Sequence, residues 1–369
     1  MNNQVITKRQ ALWIMFMCIF SEPLVVYGNS WANQDTWVSM LISIVISLLI
    51  SIIFIYILTT NPSKDIYDIF EEKTGKIIGR IFSLLFIAYA IFIGSFTLRK
   101  ISSFIITLSF PESPIWYVSI FFMVLIGFII YQGIENLGRG ASLIAPVIIL
   151  TAILAPILLF KQLNIQNLKP MFTEPWSNII FGSFKNFFIC FGDLALMLGV
   201  VISERPKGNI FKAFFLSNII GGLMYLLVEL TNILVLGVPV HNKLLYPTYS
   251  TYTLIDVAKF ITRIQVVLSA ILTITLIIKT ALALFVACNG LAKVFKRPNF
   301  RSFIVPLSLV FIVLSIIMFK NNEAIYQFKD HFSWIKGPFQ IIIPLIIAII
   351  IFINNLLKRL NNNSKAMIS

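Results

Sequence analysis

Ten long apolar segments fill this 369-residue chain, and the first carries Ser21-Glu22-Pro23 in mid-span. A backbone that crosses hydrocarbon must satisfy its own peptide groups, so segments of this length cross as helices. A carboxylate in that setting is expensive, and proline strips the carbonyl one turn back of its partner. Both are tolerated only where the backbone faces protein or a wet cavity. The break therefore predicts a polar site inside a membrane bundle.

Composition agrees. The chain is 58% apolar and 12% charged, against roughly 25% charged in an average soluble protein. Mean hydropathy is +0.92. Such an excess reads as an integral membrane protein. The first ten residues are polar and the apolar run after them lacks a small-residue cleavage site, so no cleavable signal peptide is expected. The net charge of +14 could suggest nucleic acid. Its distribution excludes that class, because the basic residues sit in short loops and at helix ends, where they orient a membrane protein. Cys18, Cys190 and Cys288 lie within apolar segments without metal-type spacing and read as small buried hydrophobes.

The expected spans are residues 11–28, 36–58, 79–108, 115–131, 142–160, 179–202, 211–237, 254–289, 303–319 and 339–357. Most reach the ~20 residues that a crossing needs. With the N-terminus in the cytoplasm, seventeen Lys and Arg fall in inner connections and six in outer ones, Lys336 among the six. Both termini are therefore expected inside. No connection is long enough for a soluble domain, so residues 1–369 are expected to form a single integral membrane domain. Residues 63–76 read as a short cytoplasmic surface helix, and the Asn-rich end as a disordered tail.

Ten helices divide into two sets of five: repeat one about 11–160, repeat two about 179–357, and a tail at 358–369. The first helix of each set carries a break signal, Ser21-Glu22-Pro23 in the first and Gly192-Asp193 in the sixth. Interrupted helices at matching positions point to an inverted-repeat transporter fold. The halves share no visible sequence identity, so this symmetry is one of topology.

The polar residues within the spans are the candidate chemistry. Glu22, near the midplane, is either a ligand-, proton- or cation-sensing carboxylate or a structural acid paired with a basic residue on another helix. Asp193 follows a glycine that lets other groups approach the backbone, and it reads as a ligand contact or a structural pair. Arg99 and Lys100 point ~100° apart, so one can reach a site while the other snorkels outward. Asp256, Lys259 and Arg263 share one stripe, as salt-bridging at a vestibule would require. Lys279 lies deep in an apolar run and needs a partner or water. Glu229 and Asn232 read as interhelical hydrogen-bonding groups. Thr273 and Thr275 either line a pocket or bond their own backbone. The two histidines, His241 and His331, are placed outside the hydrocarbon. Gly133 and Gly138, flanking Asn136, read as turn residues. No nucleophile triad, metal cluster or phosphate loop is apparent, so neither an enzyme nor a cofactor is expected.

Several stretches together resemble a known family. ITKRQALW opens the chain, WANQDTWVS follows the first span, and FPESPIW precedes the fourth. GIENLGRGASLIAP leads into the fifth, NLKPMFTEPWSNIIFGS and FGDLALML surround the sixth, and YPTYSTYTLIDVAKFITRIQVV opens the eighth. In order and spacing these resemble the B subunit of GerA-type spore germinant receptors, within the amino acid–polyamine–organocation transporter superfamily. The resemblance implies an all-α membrane protein with ten transmembrane helices in a LeuT-like 5+5 inverted repeat, with helices 1 and 6 broken. It implies a pocket between those two helices, flanked by helices 3 and 8. The ligand-binding set would be Phe20, Ser21, Glu22, Pro23, Arg99, Gly192, Asp193, Thr273 and Thr275, with Glu22, Asp193 and Lys279 available for coupling or gating. The implied partners are a small-molecule germinant, the A and C subunits of the receptor and the lipid bilayer of the spore inner membrane. The departure is Phe20-Ser21-Glu22-Pro23, which stands where amino acid transporters carry a glycine-rich break. Glu22 would repel a substrate carboxylate and would suit an amine or a cation. A solute transporter coupled to protons or sodium is the alternative that the same fold allows.

Overall fold

The computed structural model describes residues 5–21, 31–203, 210–255, 264–328 and 331–366. In chain order the elements are β1 (Val5–Ile6), α1 (Lys8–Phe20), α2 (Thr36–Thr60), α3 (Ile66–Thr74), α4 (Lys76–Leu108), α5 (Ile115–Gln132) and α6 (Ile134–Leu158). They continue with α7 (Trp176–Asn186), β2 (Val201–Ile202), α8 (Ile210–Leu236), α9 (Val238–His241), α10 (Pro247–Thr253) and α11 (Ile264–Val294). The last are α12 (Ile304–Ile317), α13 (Asn322–Phe328), α14 (Phe332–Gly337) and α15 (Ile343–Ala366).

Among the described residues, nine helical stretches are long and apolar enough to cross a membrane, and they match the second to tenth expected spans. The first span contributes α1, which closes at Ser21. There the Ser21 N–H donates to the Met17 carbonyl (2.9 Å) and its hydroxyl to the Cys18 carbonyl (2.9 Å). Glu22 and Pro23 lie outside the described residues, as do Asp256, Lys259 and Arg263.

A capping box starts α1: the Thr7 hydroxyl accepts the Gln10 N–H, and the Gln10 carboxamide accepts the Thr7 N–H at 2.8 Å. Such a box satisfies two of the donors that a helix start leaves open. Gln10 also docks α1 on α6, where a Cβ at Gly138 would lie 2.7 Å from Gln10 Cβ. Gly138 is thus a packing residue inside α6 and not a turn residue. Gly133 makes the turn, at φ +113°.

α11 is the hub. Nearly all of residues 271–290 are buried, and α11 packs against α4, α1, α5 and α6. On α2, buried Ser39, Ser43, Ser47 and Ser51 form one small polar stripe. Ser43 donates to the Ser183 carbonyl (2.9 Å), Ser47 donates to the Asn218 carboxamide oxygen, and Asn218 donates back to Ser51 (3.1 Å). Short side chains let backbones approach closely, and their hydroxyls bond across the seam.

Two local features depart from the sequence expectation. β1 and β2 pair in parallel, Val5 with Val201 and Ile6 with Ile202, so the helical fold carries one two-residue ladder. α15 runs to Ala366 through the expected tail, where neither glycine nor proline stops it. The sixth span carries its expected break and changes helix type twice. α7 gives way to a π-helical stretch at Phe187–Phe191, and that to a 3-10 stretch at Gly192–Gly199. The expected interruption therefore falls at Gly192-Asp193. The tenth span has a similar π-helical stretch, Pro338–Ile342, between α14 and α15.

Candidate binding site at the interrupted sixth span

Asp193 is fully buried. An isolated carboxylate in such a place is untenable unless donors surround it. Four donors do. Tyr89 on α4 donates its hydroxyl to Oδ1 at 2.9 Å, and Gln340 donates Nε2 to the same oxygen at 2.7 Å. Lys279 Nζ on α11 lies 2.6 Å from Oδ2, and Lys336 Nζ on α14 lies 3.1 Å from it. Four separate elements thus converge on one side chain of the sixth span.

Local sequence explains the convergence. Gly192 has no side chain, and a Cβ there would run into the Gln340 carboxamide. The π-helical stretch at Pro338 turns Gln340 inward, where its Nε2 also reaches Tyr89 Oη (3.0 Å) and the Phe188 carbonyl (3.3 Å). Such bulges redirect side chains and concentrate at functional sites. Phe339 stacks on the Tyr89 ring at 5.0 Å and fixes its direction. α1 packs alongside both irregular stretches of the sixth span, and Phe20 and Ser21 close that helix.

The other candidates are distributed more widely. Thr275 lies one turn before Lys279 on the same α11 stripe. Its hydroxyl donates to the Leu272 carbonyl, and that of Thr273 donates to the Ser269 carbonyl. Both hydroxyls are engaged by their own helix. Arg99 lies ten residues beyond Tyr89 on α4, about 15 Å along the axis. Its guanidinium donates to the Ser315 and Ile316 carbonyls (3.1 and 3.2 Å), at the C-terminal end of α12. Lys100 sits over the Phe96 ring at 4.6 Å. Arg99 is therefore not brought to Asp193.

Two further polar groupings frame the region. Toward the end of α8, buried Glu229 and His241 approach to 3.2 Å, and Asn232 donates to Thr248 at 2.9 Å. His241 is thus a buried group tied to the bundle, in the short α9 that follows the seventh span. Asp35, fully buried in the WANQDTW stretch, accepts the N–H groups of Phe172 (2.6 Å) and Glu174 (3.1 Å). It clamps the connection that leads into the sixth span.

Sequence reasoning missed Tyr89, Lys336 and Gln340. Lys336 precedes the tenth apolar run and so counts with the outer loops, yet it is 1% exposed. A signal existed: Lys336 and Gln340 are four residues apart across Gly337-Pro338, the spacing that puts two polar groups on one helical face.

Nine membrane-length helices among the described residues, an interrupted span and a buried charged cluster define a multi-pass membrane protein with a broken-helix fold. The family model described as spore germination protein matches residues 5–324, and the chain belongs to that family. Spore germination protein KB of Bacillus subtilis (strain 168) is 25% identical over 94% of this chain and 94% of its own length. Spore germination protein GerQB of Bacillus cereus is 21% identical over 79% and 80%. Among solved structures, MhsT in complex with L-phenylalanine superposes with a TM-score of 0.66 at 14% identity, covering 95% of this chain and 89% of that one. Mhp1, a nucleobase-cation-symport-1 family transporter, gives 0.59 at 11% identity, covering 92% and 77%. These likenesses place the chain in the LeuT-like fold.

Proposed function

We propose that this chain is the germinant-sensing membrane subunit of a spore germination receptor. It would bind a small solute, such as an amino acid, between the interrupted first and sixth spans and pass the resulting shift to partner subunits of the A and C types. The observation that carries this reading is the Asp193 cluster, a charged centre joining four elements at the interruption of the sixth span, in a chain of the spore germination family. Phe20, Ser21, Gly192 and Thr275 are the proposed neighbours of the ligand. Glu22 and Pro23, next in sequence to Ser21, belong to the proposed set, with Arg99 and Thr273 as its more distant members. We place both termini in the cytoplasm, from the Lys and Arg asymmetry, and the protein in the spore inner membrane. A ligand moves such an equilibrium only by its differential affinity for the two states.

The test is germination of spores carrying this chain and its partner subunits as their sole receptor, challenged with amino acids, sugars and nucleosides. A response that disappears when this chain is deleted, and weakens in Glu22→Gln and Asp193→Asn at normal protein levels, is expected. Unchanged dose–response curves in both variants would refute the site assignment. The transporter-type fold supports a second reading, a proton- or sodium-coupled transporter. Uptake by the purified chain alone in liposomes would favour it.

A further inference from the structure

The two ammonium groups on Asp193 Oδ2 are held in different ways. Lys279 projects from the middle of a continuous 31-residue helix, is fully buried and makes the shorter contact, 2.6 Å. Lys336 makes the longer one, 3.1 Å, from a six-residue helix that ends in Gly337-Pro338 and the π-helical stretch. That short helix lies at the rim of the bundle: Trp334, two residues earlier, is 82% exposed, while Lys336 itself is 1% exposed. A modest rotation of α14 would carry the Lys336 head toward the rim, whereas Lys279 has no comparable exit.

We propose that Lys336 is an internal stand-in for a ligand ammonium group, occupying Asp193 Oδ2 until an amine-bearing ligand displaces it. The proposal rests on the reading of Asp193 as the ligand-facing acid and assigns the ligand class as primary amines. Charge is the reason. Withdrawing Lys336 without replacement leaves Lys279 as the remaining cation on Asp193 and takes one charged donor from Oδ2. Exchanging one ammonium for another leaves the buried charge unchanged, so an amine can do what a neutral solute cannot. A second acceptor is in place. Gln340 is fully buried, and its Oε1 has no hydrogen-bond partner among the described residues, although its Nε2 is bonded to Asp193. An entering ammonium has three N–H groups to share between Asp193 and that oxygen. Release would also be felt in the last span, because Lys336 and Gln340 are joined through Gly337-Pro338 and share Asp193.

The experiment uses the purified full-length chain in detergent, with ethylammonium as the probe and ethanol as its neutral counterpart. Lys336→Ala should bind ethylammonium at least ~10-fold more tightly than the unmutated chain, about 1.4 kcal/mol. Ethanol should show no such gain, and Lys336→Ala with Asp193→Asn should lose it. Lys336→Arg, which keeps a cation in place, should behave as the unmutated chain. Equal ethylammonium affinity with and without Lys336, or an equal gain with ethanol, would overturn the proposal. Should Lys336→Ala fail to fold, hydrogen exchange in the unmutated chain decides. Saturating ethylammonium should speed exchange over residues 332–342, and no change there would reject the displacement. Binding is read without germination, so a negative result bears on Lys336 and not on the sensor assignment.

Discussion

Asp193 shows how one side chain can hold a membrane site together. Its two oxygens are matched by Tyr89 and Gln340 on one and Lys279 and Lys336 on the other. Removing the shared acid strands two buried ammonium groups, whereas removing Tyr89 Oη deletes one hydrogen bond to a charged group. Asp193→Asn should therefore cost roughly 3–5 kcal/mol of stability and Tyr89→Phe about 1.5–3 kcal/mol. Denaturant titration in detergent measures both, and equal losses would count against a charge-centred cluster. Gly192 supplies a second test at this scale. Gly192→Ala drives a Cβ into the Gln340 carboxamide, and overpacking of this kind costs about 1–3 kcal/mol. Gln340→Ala should relieve part of that cost, so the double variant should be more stable than the two single losses predict. Additive losses would mean that the two residues do not press on each other.

At the scale of elements, α3 forms a clasp on the expected cytoplasmic side. Asp65 caps it by accepting the N–H groups of Tyr67 and Asp68. The same carboxylate takes Asn289 Nδ2 at 2.8 Å and Lys293 Nζ at 2.7 Å from the end of α11. Lys293 also pairs with Asp68, and the Tyr67 hydroxyl donates to the Val286 carbonyl at 2.9 Å. Burial pushes the Asp65 carboxyl above its ordinary value of 3.8, against the pull of Lys293. A group whose pKa is raised by folding takes up its proton more readily in the folded state. Its contribution is full below the ordinary value and is lost as pH rises through the raised one. The unfolding midpoint should fall as pH climbs through that window, and Asp65→Asn, which keeps a capping oxygen, should flatten the fall. A profile unchanged by the substitution would remove Asp65 from the account. The expected surface helix was legible from its charges and its flanking apolar runs. Its grip on α11 was not, since Asp65 and Asn289 are 224 residues apart. Asp35 acts similarly at the other end of the bundle. Asp35→Ala leaves the Phe172 and Glu174 N–H groups without their acceptor, so amide exchange over 170–176 should accelerate while α2 stays protected.

For the whole molecule, orientation is the property that can be checked most directly. The native cysteines are buried, so single introduced cysteines report topology without background. In right-side-out vesicles, Gln166→Cys should react with a membrane-impermeant thiol reagent and Asn136→Cys should not. The reverse pattern would invert the proposed arrangement. Surface aromatic residues fit the expected bilayer: Trp116, Tyr117 and Trp176 are each more than half exposed, as rings at a lipid–water boundary should be.

The sequence by itself determined the membrane class, the order and approximate limits of the spans, and the interruption at Gly192-Asp193. These are written in local composition, because hydrocarbon penalises every unsatisfied peptide group along the chain. The family was legible too, carried by short stretches such as WANQDTWVS and FGDLALML whose order survives without any single decisive motif. Tertiary structure alone decided which groups answer Asp193. Tyr89, Lys279, Lys336 and Gln340 stand 86 to 147 positions away from it in the chain. No local pattern says that a lysine before the tenth apolar run will turn inward to an acid on the sixth. That choice follows from packing four elements around one buried charge, which can exist in lipid only if distant donors are folded onto it.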